Sequence, residues 1–296
     1  MTTLLPFTFP LGLAHLAQRD PHRDTPANRM IIQGLRDHPD VETALPAALR
    51  STASRPAALA VAQAVVEKLI DDGRPWTQAA ASWLSRADAD WPTSARVCNA
   101  LAWHGRMRHN SALTHMDGTA HLQKPGPDRI HTQALRHLHL AALRYDFRCR
   151  TITRLLSAVP ADRRALWDPY TRALEAFALL GRSTPWGITA MTRVLDEAGD
   201  DACVAHAVLH GLWLGDGLPH HAEAILALAA RPVFDPSDPV MLFRTATALR
   251  MLGRRAEALT AVQDAMEALG PNAPQFHADL VRERTLITQL PTAGNR

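Results

Sequence analysis

Residues 253–263 read Gly-Arg-Arg-Ala-Glu-Ala-Leu-Thr-Ala-Val-Gln, and the triplet Glu257-Ala258-Leu259 recurs 34 positions earlier as Glu223-Ala224-Ile225. One further step back stand Ala190 and Met191. The same spacing aligns Leu174, Val208 and Leu242, then Ala178, Leu212 and Ala246, then Val194, Leu228 and Val262. Each copy has a helix breaker midway: Gly181 with Pro185, Gly215 with Pro219, and Gly253. Glycine and proline cannot sit inside a helix without cost, so each copy reads as two helices joined by a turn. A fixed period of this size marks stacked helical hairpins, each burying its apolar face against the next.

Residues 236–271 resemble a tetratricopeptide repeat, with Ala246 in the first helix, Gly253 at the turn, Glu257-Ala258-Leu259 opening the second helix, and Ala265 with a closing Pro271. The resemblance is clearest over 168–271. It departs from the pattern at Leu212, where a small residue is expected, and at Arg231, where alanine is usual. It implies an all-α, right-handed α-solenoid of helical hairpins, TPR-like in the C-terminal half. It also implies a concave groove lined by the first helix of each hairpin. Carried over by position, that groove receives Arg172, Glu175, Leu179 and Arg182, then His206, Leu209 and Trp213, then Phe243, Thr247 and Arg250. Trp213 and Phe243 are the apolar anchors, and the arginines favour an acidic protein or peptide segment as partner. The carboxylate-clamp subtype is not indicated, because these positions carry no lysine or asparagine.

Composition supports helices throughout. The chain of 296 residues is 47% hydrophobic but only 5% aromatic, and its apolar mass is chiefly alanine and leucine, which lose little freedom in a helix. No stretch alternates apolar and polar residues in the manner of a half-buried strand. The basic residues are almost all arginine, with Lys68 and Lys124 the only lysines, as a GC-rich bacterial-type coding sequence would produce. A formal charge of +3 steers polyanions weakly and argues against nucleic acid as the partner. Cys98, Cys149 and Cys203 are odd in number and far apart, which fits a reducing cytoplasm. No segment reaches the roughly 18–20 apolar residues of a membrane span, so no membrane is expected.

Local signals place further helices. Thr25-Pro26 opens one to about Asp37, Ser54-Arg55-Pro56 another stopped by Gly73, Pro75 a third, and Pro92 a fourth ending near Arg108. Residues 109–127 hold Gly, Pro and His without a helical stripe. They separate an N-terminal helical region, 1–108, from a repeat region, 128–296, that opens with a long helix from Asp128 to Asp146.

Three constellations carry chemical interest. Cys203, His206 and His210 share one helical face at spacings of three and four, a workable start for a metal site. His104, His109, His115, His121, His131, His137 and His139 cluster around the central loop, where Asp117 and Asp128 also fall. A metal-dependent enzyme or metal-binding protein centred on 104–139 is therefore the competing reading to a noncatalytic adaptor or scaffold. Arg136, Arg144, Arg148, Arg150 and Arg154, with Tyr145 and Phe147 interleaved, support a third, a nucleic-acid-linked regulator. No phosphate-binding glycine loop or nucleophile elbow is present, no catalytic residue is assigned, and no cofactor is implied.

Overall fold

The computed structural model describes residues 25–108, 129–215, 219–269 and 274–291, and every regular element among them is an α-helix. The described residues fall into two compact units, 25–171 and 172–291. In chain order the helices are α1 (Pro26–Arg36), α2 (Val41–Arg50), α3 (Arg55–Asp71), α4 (Thr77–Arg86), α5 (Trp91–Met107), α6 (Arg129–Tyr145), α7 (Cys149–Ser157) and α8 (Ala161–Arg164). They continue with α9 (Pro169–Leu180), α10 (Pro185–Ala198), α11 (Ala202–Leu214), α12 (Pro219–Ala229), α13 (Pro239–Met251), α14 (Arg255–Leu269) and α15 (Pro274–Thr288). The expected loop 109–127 lies outside the described residues. Among those described, no helix is long and apolar enough to cross a membrane, and the three cysteines are free and buried.

Helix starts follow capping chemistry. The side chains of Thr25, Asp40, Ser54, Asp90, Asp201 and Asp238 each accept a backbone N–H of the first turn that has no partner within the helix. Proline stands in the first turn of α1, α3, α5, α10 and α13, where its missing N–H costs nothing. Helix α2 was not anticipated, because Pro46 lies inside it. The ring removes one backbone bond, yet Asp40 caps the start, and Val41 and Leu45 are buried on one face. Stops are equally local. Gly73 adopts φ +68° while Arg74 N–H reaches Leu69 O at 2.9 Å, and Gly253 adopts φ +72° while Arg254 N–H reaches Leu249 O at 2.9 Å.

In the N-terminal unit, α3 is the central element. Its Val61, Val65, Val66, Leu69 and Ile70 are buried together with four alanines, and it packs against α1, α2, α4 and α5. Burying each such valine, leucine or isoleucine contributes roughly 1.5–3 kcal/mol. Helix α6 packs on α4 and α5 through Leu138, Leu140 and Ala141.

In the C-terminal half, helices α9 and α10, α11 and α12, and α13 and α14 are each separated at the expected glycine or proline, and α11 packs on α12 and α13 on α14. Within it, consecutive helices pack on one another from α10 through α15. Residue 212 did not need to be small, because its neighbour provides the close approach. A Cβ built on Gly211 would lie 2.7 Å from both Cα and O of Phe177, so α11 passes directly over the α9 backbone there. Gly211→Ala is expected to cost about 1–3 kcal/mol despite alanine's better helix propensity, read as a lower denaturant midpoint with an unchanged slope.

Asp279 of α15 is 5% exposed, and its Oδ2 has no hydrogen-bond partner among the described residues. Burial raises its carboxyl from 3.8 to about 6, against a smaller opposing pull from Arg282. A raised folded-state value favours the protonated form, so the stability this group supports is fully present below about pH 4 and lost as the pH climbs through 6. Asp279→Asn is expected to stabilise the protein at pH 7 by on the order of 1–3 kcal/mol and to change nothing at pH 3.5, measured by thermal unfolding at both pH values.

Candidate functional site

Two arrangements in the N-terminal unit bring polar and apolar groups together in ways that bear on function. The first is internal. Ser94 on α5, His137 on α6 and Asp168 form a hydrogen-bonded chain, with Ser94 Oγ 2.9 Å from His137 Nδ1 and His137 Nε2 2.9 Å from Asp168 Oδ1. Asp168 Oδ2 accepts Arg136 Nη2 at 3.0 Å and Thr171 Oγ1 at 2.7 Å, while Oδ1 also caps α9 by accepting Thr171 N–H at 2.9 Å. Arg136 Nε completes the ring at 3.0 Å from Thr171 Oγ1. Burial alone would push the Asp168 carboxyl up, but attraction to His137 and Arg136 and the bonds it accepts hold it well below the usual carboxylate range. An ionised carboxylate only accepts, so His137 Nε2 carries a hydrogen and donates it.

The order serine, histidine, aspartate is the order of a nucleophilic triad, yet the geometry denies it that role. Ser94 is 1% exposed and His137 0%, with Tyr170 set edge-on to the imidazole at 5.0 Å between ring centres. A nucleophile must meet a substrate, and this hydroxyl faces only protein. The cluster holds α5, α6 and the start of α9 together. A second internal group lies along the same two helices, where Asn99 Oδ1 accepts from Arg144 at 3.1 Å and Tyr145 at 2.9 Å.

The second arrangement is open. Helices α2, α3 and α4 border a cleft of about 490 Å³, floored by Leu45, Leu49, Val65, Val66, Leu69 and Trp83. Gln78, Ser82 and Arg86, spaced by four on α4, form a polar line along one wall. Local signals for its parts were present, since Asp40 caps α2 and Val41, Leu45 and Leu49 share a stripe. The juxtaposition of the three helices was not written locally.

The residues expected at a groove are divided by the structure. Arg182 is exposed, and Arg172, Glu175, Leu179 and Arg250 are half-buried. Arg172 pairs with Glu197, and Arg250 Nε lies 2.6 Å from Glu283. His206, Leu209, Trp213, Phe243 and Thr247 are all buried. The ring centres of Trp213 and Phe243 stand 6.1 Å apart.

Cys203, His206 and His210 are buried on α11, and the two imidazoles pack against rings: His206 on Phe234 at 4.8 Å, His210 on Phe177 at 5.0 Å. Among the described residues, no group of three or more His, Cys, Asp or Glu side chains is placed to hold a metal ion. Of the central histidines, His104 Nε2 lies 2.8 Å from Asp71 Oδ1, and His137 and His139 are buried. His109, His115 and His121, with Asp117 and Asp128, lie outside the described residues. The arginine run is not one face, because Arg136 and Arg144 are internal while Arg148, Arg150 and Arg154 are exposed.

Compared with family models, curated proteins and solved structures, the chain matches none of the three.

Asp168→Asn removes the charge while leaving a capping side chain, so the loss it causes isolates the ion pairing. We expect a destabilisation of about 3 kcal/mol or more at pH 7, because the Arg136 guanidinium is left without its counter-ion. A depressed carboxylate stabilises the fold above its unfolded value near 4, and that contribution fades as the pH falls below it. The gap between wild type and Asp168→Asn should therefore narrow on acidification from pH 6 to pH 2, followed by chemical denaturation.

Proposed function

We propose that the protein is a noncatalytic helical-repeat binding protein, an adaptor or regulatory scaffold that takes a protein or peptide segment, with acidic segments preferred. The observation that carries this reading is a run of ring contacts through the first helices of the three hairpins. Phe177 of α9 meets His210 of α11 at 5.0 Å, His210 meets Trp213 at 6.2 Å, and Trp213 meets Phe243 of α13 at 6.1 Å. Aromatic contacts of this kind add about 0.5–1.5 kcal/mol each beyond area burial. They join the first helices in series, as a solenoid of stacked hairpins requires. Side chains outside this seam that reach the surface are Arg172, Glu175, Leu179 and Arg182 on α9 and Arg250 on α13; Arg172 and Arg250 already hold Glu197 and Glu283, so Arg182 is the exposed arginine of the set. An acidic segment would compete with Glu197 for Arg172 and find Arg182 without an internal carboxylate, and a planar guanidinium fork suits such a ligand.

In this reading Trp213 and Phe243 support the surface rather than touch the ligand. Phe243→Ala is a core truncation that costs about 3–5 kcal/mol, so it cannot serve as a binding probe. The test is selection of peptides from a random displayed library by the immobilised protein, repeated with the charge-reversed variant Arg172→Glu/Arg182→Glu. Wild type should enrich sequences with two or more acidic residues, and the variant should lose them at least tenfold while keeping its unfolding midpoint within a few degrees. Equal enrichment by both proteins would remove α9 from the binding surface.

A further inference from the structure

The cleft between α2, α3 and α4 has no part in the hairpin surface and supports a separate assignment. Its floor is made by Leu45, Leu49, Val65, Val66, Leu69 and Trp83, with the rings of Pro46 and Pro75 at its edges. Apolar surface of this kind is stabilised by an apolar occupant that displaces water. The polar lining residues, Thr77, Gln78, Ser82 and Arg86, all belong to α4. Gln78 and Arg86 are exposed and Ser82 is half-buried, and none of the three makes a hydrogen bond or ion pair with another described side chain, a condition Arg86 shares with other surface arginines such as Arg182. The cleft therefore offers a hydrophobic floor, neutral hydrogen-bonding groups along one side, and a single unpaired cation at one end.

Size and chemistry narrow the occupant. A volume of about 490 Å³ lies in the range of small-molecule sites, roughly 300–1,000 Å³. An extended peptide would bring a backbone N–H and C=O every residue onto a floor that offers them no partner, which is costly. A single unbranched apolar chain bears no such groups and is thin enough to fit. Its one polar end is fixed by charge, since a guanidinium without a counter-ion is complementary to a carboxylate.

The geometry points to a binding site for an apolar-tailed monocarboxylate, a medium-chain fatty acid in chemical class, with its tail on the Leu45–Leu49–Val66–Trp83 floor and its carboxylate at Arg86. Gln78 and Ser82 flank the chain along α4. The other end of that helix is a distinguishable place for an anion, because Trp76 occupies the cap position and has no side-chain acceptor to offer the first-turn amides. The Arg86 end is assigned because it carries a full charge, against roughly half a charge at a helix N-terminus.

Titration calorimetry of the full chain with dodecanoate, below its micelle concentration, tests the site. Wild type is expected to bind one dodecanoate per chain. Arg86→Gln should weaken binding ten- to a hundredfold, the range of a charge-assisted hydrogen bond, and dodecanol should bind wild type correspondingly weakly. Leu49→Asp, at a half-buried floor position, should abolish binding of the acid, with the unfolding midpoint of each variant confirming a retained fold. No binding by wild type overturns the proposal. So does undiminished binding by Arg86→Gln, which would place the head group at the α4 N-terminus, or equal affinity for dodecanol, which would leave an unspecific apolar surface.

Discussion

A buried carboxylate is costly to hold in a protein interior unless its oxygens are filled with donors, and Asp168 satisfies that condition with four. Thr171 N–H and His137 bind one oxygen; Arg136 and the Thr171 hydroxyl bind the other. Those donors come from α6 and from the first turn of α9, and His137 extends the chain to Ser94 on α5. The separation of these helices is thus set within a few tenths of an ångström by hydrogen-bond length, which apolar packing alone does not do. This structural role accounts for residues that resemble a catalytic relay being sealed from solvent.

The C-terminal unit solves the same problem with shape. Where α11 crosses α9, Gly211 lies on the backbone of Phe177, and on either side of that contact the rings of Phe177, His210, Trp213 and Phe243 follow in series. A glycine permits the approach and the rings fill the space around it. Histidine suits this seam because its ring is flat and only partly polar. This accounts for a spacing of Cys203, His206 and His210 that looks like a ligand set and is occupied by packing against Phe177 and Phe234.

Much of the fold was legible along the chain, and particular residues show why. Thr25, Ser54 and Asp90 cap helices through atoms three residues away, and Gly73 and Gly253 end them through bonds that span five or six residues. Such contacts are encoded in a short window. Helix α2 escaped notice because Pro46 masks a signal that its cap and apolar stripe otherwise carry. The candidate site was far less legible. Asp168 reads locally as the cap of α9, but its pairing with His137 crosses 31 positions, and nothing in either segment announces the other. Arg86 reads as one more surface arginine until the cleft beside it is seen.

The sequence by itself determined that this chain is helical and where most of its helices begin and end. Those features follow from propensity, capping and periodicity, all of which act between residues at most a few turns apart. Only the tertiary structure decided which side chains are available. It turned Trp213, Phe243, His206 and Thr247 inward and left Arg182 exposed. It also gathered Leu45, Val66 and Trp83 from three helices onto one floor beside Arg86. Burial depends on what lies across from a residue, and in an all-helical chain the face turned toward a neighbour is settled by packing between distant segments.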